Sequence, residues 1–224
     1  MFRQIRFIFI SAARLVASIF GVLAGVGGIM HGPGEILQGN VAPSGLAFNS
    51  WTMEPIATNV GGEPAMSLIP NLLISGVLTI LISSAVLVWA AAFVGKKHGG
   101  IYLMLFSLIM LLVGGGFAPP MLGILAGIGG LGINADAPSW YKNLPRKFLS
   151  LLAALWPWFF GVCVINGVIL IVGALILGYI IGLNIPGVWV FCFLFSIPLL
   201  ILTILTGVAY DGKQSERGVV TQSK

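Results

Sequence analysis

Apolar residues fall in long blocks along this chain, divided by short polar segments. A bilayer core of roughly 30 Å is crossed by about 20 apolar residues in a helix. On that scale the blocks predict spans at about 4–30, 68–94, 101–117, 119–133, 157–183 and 188–210. The first block ends at His31-Gly32-Pro33-Gly34 and opens a long segment, 31–67, rich in Gly, Pro, Asn and Ser and holding Trp51. We expect this outer loop to fold over the helix ends, and loops of such length are often functional. Residues 134–155 predict an inner connector, with Trp140 and Tyr141 at the interface and an amphipathic surface helix around Leu144 to Leu155. Trp156 and Trp158 fit the aromatic belt at the start of the next span. A brief turn at Asn184-Ile185-Pro186-Gly187 precedes the last span, and 211–224 reads as a polar, disordered cytoplasmic tail.

The block at 101–133 is ambiguous. Two ordinary spans need about 40 residues and one needs about 20. It is broken near its middle by Gly114-Gly115-Gly116-Phe117-Ala118-Pro119-Pro120. Proline inside a helix costs about 3 kcal/mol, so this run ends a helix.

Charge decides between the readings. The 11 basic residues are Arg3, Arg6 and Arg14, then Lys96 and Lys97, then Lys142, Arg146 and Lys147, then Lys213, Arg217 and Lys224. The outer loop has no Lys or Arg but carries Glu35, Glu54 and Glu63. Basic residues favour cytoplasmic loops. All four clusters share one side only if 101–133 crosses twice. The predicted fold class is therefore all-α, a polytopic helical membrane bundle of six transmembrane helices with both termini cytoplasmic. Five spans plus a re-entrant segment is the alternative. Residues 1–210 form a single integral membrane domain, and the short loops and sharp charge bias suggest a bacterial plasma membrane.

Composition agrees: 58% of residues are hydrophobic and 8% charged, against about 25% charged in a soluble domain. The net charge of +5 is scattered over short segments. That fits an anionic lipid surface and excludes a nucleic-acid footprint. The basic, apolar N-terminus is too long for a secretory leader and lacks a clean Ala-x-Ala site, so it reads as an uncleaved span. Cys163 and Cys192 fall at different depths, where they should not pair, and read as small packing residues.

Several faces could carry chemistry. On the first helix Gly21, Gly25, Gly28 and Gly32 align with Ser18, a face that admits another backbone closely. Arg14 extends that face, either snorkelling to phosphate head groups or meeting an anion inside the bundle. On the second span Ser67, Asn71, Ser75, Thr79 and Ser83 recur every fourth residue. This polar stripe serves helix packing, with hydroxyls bonded back to the backbone, or it lines a solute site. In the solute reading the contacts are Asn71, Asn166, Ser75, Thr79 and Arg14. Pro70 would free a carbonyl near Met66 for the same site.

His31 and Glu35 are four residues apart, but Pro33 between two glycines is expected to break the helix and separate them. Zinc needs three or four ligands, so no metal or cofactor is expected there. Cation binding by Glu35, Glu54 and Glu63 stays open. His98 reads as solvated in a basic turn.

Residues 21–30, GVLAGVGGIM, and 123–132, GILAGIGGLG, are identical at six of ten positions. With six spans these segments run in opposite senses, as in the inverted repeats of transporters. Asn71 before LLISGVLTIL and Asn166 before GVILIVGALIL would be the next pair. Chance resemblance among Gly, Leu, Ile, Val and Ala competes with that reading.

No hydrolase, nucleotide-binding or metalloprotease signature occurs, and no residue is assigned a catalytic role. The predicted spans contain no Asp or Glu, which argues against a carboxylate relay. Three functions follow. One is a membrane protein that binds or moves a small, weakly charged solute. Another is a non-catalytic scaffold that contacts a membrane-protein partner or a second copy. The third is an enzyme with groups around His31 and Glu35. The lipid bilayer is the one partner common to all.

Overall fold

A computed structural model describes residues 11–54, 56–59, 61–133, 135, 138–181 and 186–222. Arg3, Arg6, Lys224 and, of the expected turn at 184–187, Asn184 and Ile185 lie outside the described residues. The protein is an all-α membrane bundle with one small β-ribbon. Helix α1 spans Ala12–Gln38 and α3 spans Leu72–Val88, continuing as a wider π-wound turn to Phe93. Helices α4 (Gly99–Leu112) and α5 (Ala118–Gly130) are shorter. Helix α7 covers Arg146–Val168 and runs on through π-wound turns to Ile180, and α8 covers Pro186–Gln222. Two short helices, α2 (Ile56–Asn59) and α6 (Ser139–Asn143), lie in the connections.

Four helical segments are long and apolar enough to cross a membrane: Ala12–Gln38, Leu72–Phe93, Arg146–Ile171 and Gly187–Glu216. Their large apolar residues point outward. On α3, Leu73, Ile74, Val77, Leu81 and Val88 are exposed while Ser75, Gly76, Thr79 and Ser83 are buried. A polar interior inside an apolar surface suits lipid as the solvent, so these helices contact the bilayer.

Neighbouring helices alternate in direction. Along α1, Gly21, Gly25, Gly28 and Gly32 meet Ala90, Leu87, Ser83 and Ile80 of α3 in descending order. A methyl group on Gly25 would lie 2.7 Å from the Leu87 nitrogen, so the backbones touch where side chains are absent. Helices α4 and α5 form an antiparallel hairpin in which Gly123 faces Ser107 and Gly127 faces Met104. That hairpin returns to the end where it started, because Gly130 packs on both Gly100 and Ala17. Helix α7 runs beside α1 and antiparallel to α8, with Phe20 edge-on to Phe160 and Trp156 stacked on Tyr210.

The described basic residues therefore gather at one end. Arg14 lies against Gly95, next to Lys96 and Lys97. Tyr141, beside Lys142, packs on Gly212 of α8, and Asp211 bonds Ala12.

Three expectations differ from the structure. Helix α1 does not stop at His31 but continues through Pro33 to Gln38. Pro33 faces outward, and Gln38 Nε2 fastens the extension by donating to the carbonyls of Asn49 (3.1 Å) and Ser50 (2.8 Å). The surface helix expected near 144–155 and the span after it are one helix through Pro157. The polar tail continues α8 as helix to Gln222, with the Tyr141 hydroxyl donating to Glu216 at 3.5 Å. Backbone groups in or near lipid are best satisfied within the helix, which favours continuity over a break at a single proline.

The segment from Gly39 to Asn71 caps the other end. Strands β1 (Ala47–Asn49) and β2 (Pro64–Met66) pair antiparallel, and Phe48, Ala65 and Leu72 form a small core beneath them. This ribbon has no counterpart in the sequence-based expectation, since three-residue strands leave too little alternation to read.

Candidate functional site

At the capped end, His31 sits one helical turn before Glu35, and both side chains point into the protein; Glu35 is 0% exposed and His31 5%. The β-ribbon supplies their partners. Ser50 and Glu63 are paired through the backbone, Ser50 N–H to Glu63 O at 3.1 Å, so one cross-strand step carries both side chains to the imidazole. His31 Nδ1 shares a 2.8 Å hydrogen bond with Ser50 Oγ. His31 Nε2 lies 3.3 Å from Glu63 Oε2. Glu63 is aimed by a left-handed turn: Gly61, Gly62 and Glu63 have φ of 75°, 72° and 52°. A non-glycine residue held there is strained, and such strain clusters at functional sites.

The three glycines after α4 close over the pair. Gly114 (φ 117°) faces Glu35, and a Cβ there would sit 2.5 Å from both carboxylate oxygens. Gly116 (φ 79°) faces the His31 ring so closely that any side chain would collide with it. Between them and α3, the Val113 carbonyl accepts from Ser75 Oγ and Thr79 Oγ1, each at 2.7 Å. The Gly-Gly-Gly run that reads as a helix break is thus also the lid of a polar nest.

His31 and Glu63 reach the end of a cavity of about 440 Å³. That volume lies within the roughly 300–1,000 Å³ of small-molecule sites. Its walls come from α1, α5, α7 and α8, with Gly27, Leu122, Gly167 and Trp189 among them. They are mainly apolar apart from the His31–Glu63 end and Ser196. Trp189 is 7% exposed, and its Nε1–H has no hydrogen-bond partner among the described residues. A buried indole N–H normally finds one. The arrangement is an apolar chamber with a histidine–carboxylate pair at one end and the Trp189 side chain in its wall.

The residues expected to form a solute site separate into different places. Asn71 lies outside the cavity: it caps α3, accepting from Ile74 N at 3.1 Å, and its amide donates to Asn40. Asn166 joins α7 to α8, donating to Ser196 Oγ (2.6 Å) and the Cys192 carbonyl (3.2 Å). It steadies Ser196, which lines the cavity. Ser75 and Thr79 belong to the nest around Glu35. Arg14 is exposed at the opposite end of α1. Asn71 precedes its helix while Asn166 lies well inside α7, so the two are not equivalent positions of a repeat.

His31 and Glu35 do come together, because α1 stays helical through Pro33. A carboxylate therefore lies inside the bundle, contrary to the expectation drawn from the shorter span. Ser50, Glu63 and Trp189 went unnoticed as a group in the sequence. Glu63 after Gly-Gly was a faint signal, since a glycine pair permits the positive-φ turn that carries it. No group of three or more His, Cys, Asp or Glu suited to a metal occurs among the described residues. Comparison with protein-family models, curated proteins and solved structures finds no match to this chain.

Proposed function

We propose that this multi-pass membrane protein crosses the bilayer six times and binds a small, largely apolar molecule with a hydrogen-bonding end, as a carrier or binder of that molecule. The observation that carries the reading is the cavity between α1, α5, α7 and α8, apolar over most of its walls, with His31 and Glu63 at one end. The apolar body of the ligand would lie against α5 and α8. Its polar end would meet the histidine–carboxylate pair, which can either donate or accept. The α4–α5 hairpin completes the six crossings. It leaves and returns to the same end of the bundle, and this supports placing the basic residues together on the cytoplasmic side.

The test is to extract purified protein and identify small molecules carried in stoichiometric amount by mass spectrometry. Gly167→Phe should fill the cavity and abolish carriage. Gly161→Phe, on the same helix where an added Cβ meets nothing within 4 Å, should keep it. Wild-type protein that carries no more of any compound than Gly167→Phe would sink the reading.

A second reading has one observation in its favour. His31 and Glu63 both face the cavity, so the pair could shuttle a proton to a bound molecule as a general acid or base. Ser50 does not line the cavity and is 0% exposed, so it would orient His31 and not act as a nucleophile. Conversion of the carried molecule by wild type, lost in His31→Gln with carriage intact, would favour this reading over simple binding.

A further inference from the structure

Four helices ring the cavity, and three of the four seams between them are closed beside it. A Cβ on Gly27 of α1 would lie 3.0 Å from Pro119 of α5. A Cβ on Gly167 of α7 would lie 3.1 Å from Leu23 of α1. Asn166 of α7 donates to Ser196 Oγ and the Cys192 carbonyl of α8. The fourth seam, between α5 and α8, is closed at the basic end, where a Cβ on Gly129 would lie 3.3 Å from Ile204. Residues three, four and seven apart share a helix face. Leu125 and Leu122 therefore continue the Gly129 stripe of α5, and Ile197 and Val190 continue the Ile204 stripe of α8. All four line the cavity. The stripes that touch at the basic end are parted by the cavity toward the capped end.

The gap between them is open to the side. Phe117 and Met121 of α5 and Val190 of α8 line the cavity and are also exposed, by 36%, 38% and 58%. Its deep end is sealed by Cys163 and Leu200, both buried. An exposed apolar helix face within the span of the bundle meets hydrocarbon, not water. The His31–Glu63 end lies under the capping ribbon, where the Glu63 side chain is partly exposed. A molecule in the gap would thus hold its polar end near head-group depth and its body alongside lipid chains.

Charge narrows the class of that molecule. Residues 31–67 contain no Lys or Arg, and no Lys or Arg lines the cavity among the described residues. Phosphate recognition relies on such cations, and the carboxylate of Glu63 would repel an anionic head. A hydroxyl both donates and accepts, so it suits the His31–Glu63 pair whichever imidazole nitrogen carries the proton.

We infer that the cavity takes an uncharged, hydroxyl-headed lipid sideways from the leaflet on the capped side, through the gap between α5 and α8. This rests on the reading of the cavity as a binding site and adds a route and a ligand class to it.

The experiment uses full-length protein in phosphatidylcholine vesicles and a radiolabelled hexadecanol carrying a diazirine. Flash photolabelling measures bound probe at equilibrium and during exchange against unlabelled hexadecanol. We expect saturable labelling of α5 and α8, lost in Gly167→Phe. Met121→Trp/Val190→Trp narrows the gap without filling the cavity, so it should reach the same final labelling but exchange slower by about tenfold or more. Each single Trp variant should slow exchange in the same direction if the double variant does not fold. Saturable labelling with exchange unchanged in these variants overturns the lateral route and leaves the binding reading standing. Stronger labelling by the matching hexadecyl phosphate or hexadecylamine overturns the ligand class. No saturable labelling of wild type by hexadecanol overturns the inference outright, and the binding reading is then judged separately by what the purified protein carries.

Discussion

Asp211 near the end of the chain caps the first helix through Ala12. Its Oδ1 accepts from Ala12 N at 2.7 Å and its Oδ2 from Ala13 N at 3.0 Å. The opening N–H groups of a helix have no partner within it, and a carboxylate there also meets the positive end of the helix dipole. One side chain thus satisfies two backbone donors and holds α8 against the start of α1. Asp211→Ala should lower stability by about 0.5–2 kcal/mol, the range for losing a helix cap. Denaturation in detergent checks this; an unchanged midpoint would mean that water replaces the carboxylate at no loss.

The glycine face of α1 predicts a steep positional contrast. An added methyl at Gly25 would press on the Leu87 nitrogen at 2.7 Å and its Cα at 2.8 Å, atoms that cannot rotate away. Gly25→Ala should therefore cost at least about 1–3 kcal/mol through overpacking. Gly161→Ala meets nothing within 4 Å and should be neutral or slightly stabilising. Equal melting temperatures for the two variants would contradict the close α1–α3 approach.

Glu63 should matter to binding more than to folding. Its side chain is partly exposed, 24% in the pair with His31, and its backbone turn is set by Gly61 and Gly62. Glu63→Gln keeps the shape and removes the charge, so stability should stay within about 1 kcal/mol. Retention of the carried molecule should fall by about tenfold, the equivalent of about 1.4 kcal/mol. Full retention in that variant would remove the histidine–carboxylate pair from the binding site.

Gly114 should tolerate no side chain. A residue with a Cβ in a left-handed conformation is disfavoured by roughly 1–2 kcal/mol, and here the Cβ would also abut both Glu35 oxygens. Gly114→Ala should destabilise the protein by more than that strain alone. Thermal unfolding of Gly114→Ala beside Glu35→Gln/Gly114→Ala separates the two terms: the loss should shrink in the double variant if the carboxylate charge contributes to it.

Topology can be read directly. A cytoplasmic reporter fused after Lys224 should be active and a periplasmic one silent if the α4–α5 hairpin crosses twice. The reverse result would contradict the hairpin, in which Gly130 packs on Gly100 and returns the chain to the end where α4 begins.

Much of the architecture was legible in the residues alone. Apolar blocks near the length of a bilayer core mark the helices, because lipid leaves few alternatives for a long apolar run. The small-residue spacing on α1 identified the surface that packs on α3, since helical periodicity is local. Proline misled where its local preference was outweighed: at Pro33 the surrounding helix keeps its other bonds and runs on to Gln38. Asn71 looked like a buried polar group because its neighbours are apolar, yet it opens its helix at the capped end.

The site itself was decided by tertiary structure. His31 and Glu35 lie on one helix, Ser50 and Glu63 on a ribbon, Thr79 on α3 and Gly114 in a turn after α4. Periodicity relates residues within one element. Which elements meet is set by packing over the whole bundle, and no spacing along the chain records it.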